Sequence, residues 1–79
     1  MSMHGSIALK EKEVLRAVDT SGLTHTKEVA ARVDRFSYEV VRRTLNDLLD
    51  GGYVAKSDDS LVRGNLWETT LKGKRVLDS

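Results

Sequence analysis

The stretch "SYEVVRRTLNDLLDGGYV", residues Ser37 to Val54, holds a whole structural unit in one line. Val41, Leu45, Leu48 and Leu49 recur at i, i+4, i+7 and i+8, the spacing of a helix with one buried face. Ser37 is a good N-cap, and Glu39 lies in the first turn, where the helix dipole favours an anion. Asp50, Gly51 and Gly52 end the periodicity, and an aromatic–aliphatic pair follows. The spacing predicts a helix over 37–50 that runs directly into a strand. With the stripe buried, helical geometry puts Glu39, Arg42, Arg43 and Asn46 on other faces, and Ser37 and Tyr38 at the leading end.

Upstream, residues 1–5 read as a flexible tail and 6–79 as a single domain. Ile7, Val14, Leu15 and Val18 fall roughly on one face of a first helix over Ile7–Asp19, with Leu9 near its start and Gly22 as its stop. In "LTHTKEVAARV", Thr24 or Thr26 can cap a short second helix whose Val29, Ala30 and Val33 face inward. "DRF" is a tight connection to Ser37.

Downstream the rhythm changes. "YVAK" and "NLWETT" have strand composition and flank "SDDSLVRG". That pattern predicts a hairpin over 53–70, with Asp58 and Asp59 forming the turn at an exposed tip. "KGKRVLDS" closes the chain as a short helix packed through Val76 and Leu77. Trp67 reads as a packing residue beside the third helix. A stacking platform for single-stranded nucleic acid is the alternative, though no aromatic neighbours stand beside it.

At 79 residues the chain has room for one small core, and 39% hydrophobic with 32% charged residues is an ordinary globular balance. Apolar runs such as Ile7-Ala8-Leu9 fall far short of the roughly 20 residues a membrane span needs. There is no cysteine, hence no disulfide or thiolate metal site. Together with the lack of a basic-then-apolar leader, this leads us to expect a reducing cytoplasm. The net charge of +1 gives only weak overall attraction to a polyanion, so any nucleic-acid binding must rest on where the charges sit.

An enzyme is not expected. His25 has no cysteine partner, Thr24 and Thr26 read as capping residues, and Gly51-Gly52 follows a helix rather than the strand a phosphate loop requires. No cofactor is implied, and two histidines are too sparse for a metal cluster.

The order helix, helix, helix, hairpin, short helix is a helix–turn–helix closed on one side by a hairpin. In this order the sequence resembles the winged helix-turn-helix domains of MarR-like and related prokaryotic transcriptional regulators. "TKEVAARV" resembles their second helix, "SYEVVRRTLNDLLDGGYV" the recognition helix and its exit, and "NLWETTLKGKRVL" the second wing strand leading into a Thr-x-x-Gly turn at Thr70–Gly73. Asp34 and Arg35 stand where many relatives have a glycine. The resemblance implies a mainly α fold with a small β-hairpin: a three-helix core, a two-stranded wing and a short C-terminal helix. It also implies double-stranded DNA as partner. The long flanking helices by which MarR-like proteins dimerise are missing, which leaves a monomer, a dimer through the first or last helix, or a fragment of something larger; of these we expect a homodimer through the first and last helices.

Ser37, Tyr38, Glu39, Arg42, Arg43 and Asn46 are residue types that suit a major groove: arginine bridges guanine acceptors, asparagine pairs with adenine, and serine or tyrosine holds phosphate. Lys56 and Arg63 are the wing residues placed to meet phosphate or the minor groove. The competing reading makes Arg42 and Arg43 solvating charges paired with Glu39, Asn46 or Asp47, and puts Tyr38 in the core. Lys72, Lys74 and Arg75 form a basic cluster, either a second phosphate contact or a helix-terminal charge group. The alternative function is a winged-helix module that docks proteins in a replication or transcription assembly.

Overall fold

The computed structural model describes residues 7–59 and 64–78. In chain order these form α1 (Leu9–Ser21), β1 (Thr24–His25), α2 (Thr26–Arg32), α3 (Tyr38–Asp50), β2 (Val54–Asp59), β3 (Gly64–Thr69) and α4 (Leu71–Asp78). The tail expected over residues 1–5 lies outside the described residues.

The stripe in α3 is buried as its spacing requires. Val41 and Leu45 are fully enclosed, Leu48 nearly so, and Leu49 packs at the edge of the core. Thr44, which the apolar pattern passes over, is buried on the same face because its hydroxyl donates to the Val40 carbonyl of its own helix (2.7 Å). From α1 come Val14, Leu15 and Val18, from α2 Val29, and from the sheet Val54 and Trp67. Helix α1 begins at Leu9, two residues later than the periodicity suggests, and the Glu11 carboxylate accepts from the Ala8 amide at its start (2.9 Å). Ile7 therefore packs on the core from outside the helix, and Leu9 is exposed. Gly22 ends α1 with φ +77°, a conformation that costs glycine little.

The hairpin is present, and a third strand joins it. The sheet order is β1-β3-β2, all antiparallel, with Thr24 opposite Trp67 and His25 opposite Leu66. This corrects the capping assignment. Thr24 sits in β1, His25 holds the N-cap position of α2, and Thr26 is the first helical residue. The cap is made by the Glu28 carboxylate, which accepts from the Thr24 hydroxyl (2.9 Å) and the His25 amide (3.4 Å). The Thr24 bond first, then the His25 amide, hold that carboxyl below the usual glutamate range.

A second correction concerns the wing. Asp58 and Asp59 do not form the turn; they lie in β2, opposite Asn65 and Gly64. The ladder that starts at Val54–Thr69 keeps its register for six pairs, and backbone pairing outweighs the poor strand propensity of aspartate. The paired part of the hairpin thereby reaches Asp59–Gly64.

The Thr70–Gly73 turn has a steric reason. A Cβ at Gly73 would stand 2.3 Å from the Tyr53 carbonyl oxygen, so α4 approaches the chain leaving α3 more closely than any side chain allows. The Thr70 hydroxyl accepts from the Gly73 amide (3.1 Å) and donates to the Gly52 carbonyl (2.7 Å). Val76 and Leu77 then pack against the core, as expected.

Leu45→Ala should cost about 2–5 kcal/mol, since it empties a site with no exposure between the helices. A circular-dichroism thermal melt reads this directly. An unchanged midpoint would mean that Leu45 does not anchor the core.

Candidate nucleic-acid interface

Helix α3 is capped by Ser37, whose hydroxyl accepts from the Val40 amide (3.3 Å), so its first turn projects with its amides organised. At 100° per residue, positions 39, 43, 46 and 50 lie opposite the buried stripe, and 38 and 42 lie on one flank. Burial agrees: Tyr38, Glu39, Arg42 and Arg43 are exposed, and Asn46 is half-buried. Tyr38 is 51% exposed, which removes it from the core.

The two arginines differ. Arg42 donates from Nε and Nη2 to the two carboxylate oxygens of Glu39 (3.4 and 2.5 Å). This is the pairing named in the competing reading, and it is realised for Arg42. The Arg42 bond and charge, with Arg43 adding a smaller attraction, hold the Glu39 carboxyl below the usual range, and Glu39 in turn raises the Arg42 guanidinium. Among the described residues Arg43 makes no hydrogen bond or ion pair. Asn46 donates its amide to the Arg42 carbonyl (3.0 Å).

The flank of α3 faces a groove of about 650 Å³, closed on the other side by the start of α2 and by the wing. Tyr38, Arg42 and Asn46 line it from α3, His25, Thr26, Lys27 and Glu28 from the start of α2, and Lys56, Asn65 and Trp67 from the sheet. Of the sequence-based candidates, Tyr38, Arg42, Asn46 and Lys56 are thus brought together. Glu39 and Arg43 stand on the crest of α3 beside the groove, Ser37 caps its leading end, and Arg63 lies outside the described residues. Lys27 and Asn65 were missed. Lys27 directly follows the capping segment at 24–26, and Asn65 opens the "NLWETT" strand; both are single polar residues with no pattern to single them out.

Trp67 fixes the wing to the helices. It is 2% exposed, its indole N–H donates to the Thr26 hydroxyl (2.7 Å), and the Lys56 ammonium sits 5.7 Å from its ring centroid. A ring so enclosed is a packing residue, not a stacking platform.

The basic cluster of α4 is dispersed. Lys72 donates to the Gly51 carbonyl at the end of α3 (2.6 Å) and lies 4.7 Å from the Tyr53 ring centroid, and Lys74 pairs with Asp19 (3.4 Å). The last turn of α3 contains no basic residue, so Lys72 supplies from another helix the cation that its dipole favours. Among the described residues no helix is long and apolar enough to cross a membrane, and no group of three or more His, Asp or Glu side chains could hold a metal.

The chain has the winged-helix fold of MarR-family regulators. A MarR-family transcription regulator superposes with a TM-score of 0.85 at 11% identity, covering 94% of this chain and 49% of that one. A MarR mutant from E. coli, complexed with operator DNA, gives 0.82 at 19% identity over 92% of this chain and 52% of its own. Streptococcus pneumoniae FabT, in complex with DNA, gives 0.82 at 19% identity over 92% and 51%. The chain thus spans about half the length of the solved structures it matches. No family model and no curated protein matches the sequence.

Thr26→Val should strand the Trp67 indole N–H in the core at a cost of about 1–3 kcal/mol. The thermal midpoint should fall and tryptophan emission should change. A silent substitution would show that the wing is held in some other way.

Proposed function

We propose that the domain binds double-stranded DNA sequence-specifically as part of a transcriptional regulator, with α3 in the major groove and the β2–β3 hairpin beside it as wing. One observation carries the reading. The face of α3 that the core does not use bears Ser37, Tyr38, Glu39, Arg42, Arg43 and Asn46, and continues across the groove to Lys56. The solved neighbours bound to DNA support it.

The roles follow from geometry. Recognition helices read bases mainly with their N-terminal residues, and Tyr38, Glu39, Arg42 and Arg43 occupy that half of α3, with Asn46 just past its middle and Asp47 and Asp50 towards the far end. Among the described residues Arg43 has no ion-pair partner, and from the crest it suits the acceptors of guanine. Asn46 lines the groove, and its side-chain oxygen suits a base amine. Ser37 and Tyr38, at the leading end, suit phosphate, as does Lys56 on the wing. Arg63 is assigned to phosphate on its place in the sequence alone. We place this DNA binding in the cytoplasm of a prokaryotic cell, with no cofactor and no catalytic group in the reading.

Duplex binding by wild type, Arg43→Ala and Lys56→Ala at several salt concentrations tests the assignment. Loss of a guanine contact at Arg43 should weaken binding roughly ten- to a hundredfold and relax preference at one base position. Loss of a phosphate contact at Lys56 should weaken all duplexes alike and reduce the salt slope by about one unit. Both variants should melt with wild type, because exposed charges contribute little to stability. A folded wild type without salt-dependent duplex binding would overturn the proposal. The net charge of +1 and the Arg42–Glu39 pair would then favour the protein-docking alternative.

A two-fold operator requires paired recognition helices about 34 Å apart. We assign the contact between copies to α1 and α4, where Leu9 and Leu71 are 73% and 66% exposed. Sedimentation should show a concentration-dependent dimer that Leu71→Glu weakens. A monomer at every concentration would exclude this mode of assembly.

A further inference from the structure

A carboxylate in the first turn of a helix that must enter a groove lined by phosphates costs affinity unless something in the groove compensates it. Glu39 is such a group: its side chain is 57% exposed, and helical geometry sets it opposite the buried stripe. It is also organised. Two of the five guanidinium donors of Arg42 meet its two oxygens, and Asn46 bonds the Arg42 carbonyl one turn on. Glu39 and Arg42 therefore present one joined surface, an acceptor edge beside a donor edge.

We infer that Glu39 and Arg42 together read a single C·G base pair, the carboxylate accepting from cytosine N4 and the guanidinium donating to guanine O6 and N7. The inference rests on the DNA-binding reading and gives Glu39 a role within it. Major-groove chemistry supplies the selectivity. Only cytosine and adenine present an amine there; guanine and thymine present acceptors that repel a carboxylate. Adenine sets its N7 acceptor beside its amine, where it opposes the second carboxylate oxygen, so cytosine is the better partner. Across a C·G pair the cytosine amine and the guanine acceptors lie side by side, in the same donor–acceptor order that the ion pair meets from the helix. Facing guanine or thymine, Glu39 keeps its charge against acceptors, and facing adenine one of its oxygens opposes N7. It thus discriminates chiefly by penalising the wrong sequence.

The test is selection from a random duplex pool by wild type, Glu39→Gln and Arg42→Ala, followed by affinity measurements on the selected duplex and a scrambled one. Wild type should show one position with a C·G preference of roughly tenfold or more. Glu39→Gln removes the charge but keeps the shape. Its amide can bridge adenine N6 and N7, so preference at that same position should move towards A·T while affinity for the scrambled duplex rises. Arg42→Ala should lose preference at that position and at no other. Thermal melts of both variants, close to wild type for an exposed pair, separate these effects from misfolding. The inference is overturned if Glu39→Gln keeps the wild-type preference at every position and binds all duplexes more tightly by one common factor; DNA binding itself then stands. A wild type that binds no duplex instead removes the underlying reading.

Discussion

The enclosure of Trp67 is the constraint on which the rest of the architecture depends. Its indole is the largest fully buried side chain of the domain, and its strand is the centre of the sheet. Thr24 stands opposite it on one side and Lys56 on the other, while its N–H is satisfied by Thr26 at the start of α2. A buried indole with an unsatisfied N–H is costly, so this hydrogen bond sets where the hairpin stands relative to the helices. The groove beside α3 exists because of that placement: Trp67 lines it between the wing and the helix pair.

The second organising feature is the junction of α3, β2 and α4. Gly52 turns the chain out of the helix with φ +82°, the Tyr53 carbonyl lies where a Cβ of Gly73 would be, and Thr70 and Lys72 bond the carbonyls of Gly52 and Gly51. The far end of α3 is thereby fastened by α4, and its acidic residues Asp47 and Asp50 are kept near that end. The leading end remains open, with only Ser37 to cap it. A helix fixed at one end and presented at the other suits insertion into a groove.

Electrostatics in this domain works by placement, since the net charge is only +1. Several cations are used internally: Arg35 pairs with Glu13, Lys74 with Asp19, and Lys72 serves the end of α3. Among the described residues Arg43 keeps its guanidinium outside any pair, and Arg42 shares its own with a carboxylate that is exposed beside it. The exposed face of α3 is therefore locally patterned on a chain of almost no net charge. On the DNA-binding reading proposed above, such a surface would gain little from nonspecific attraction and depend more on matched contacts.

The sequence by itself determined the three-helix core, because a stripe at i, i+4, i+7 and i+8 has only one face to bury, and Val41, Leu45 and Leu48 are enclosed as that spacing demands. It also determined the C-terminal end of α1 and the start of α3, where Gly22 and the Ser37 cap act on their immediate neighbours. Tertiary structure decided what depends on contacts distant in sequence. Thr24 and His25 are a strand only because β3 lies beside them, and two residues are too few to show alternation. Asp58 and Asp59 are in a ladder because their partners across the hairpin carry it past a composition that favours turns. Tyr38 shares a spacing with the core yet lies outside it, since the stripe's edge is set by where α1 and the sheet stop covering α3. The same reason separates Arg42 from Arg43: they are adjacent in sequence, but about 100° of helix sends one towards the wing and leaves the other on the crest.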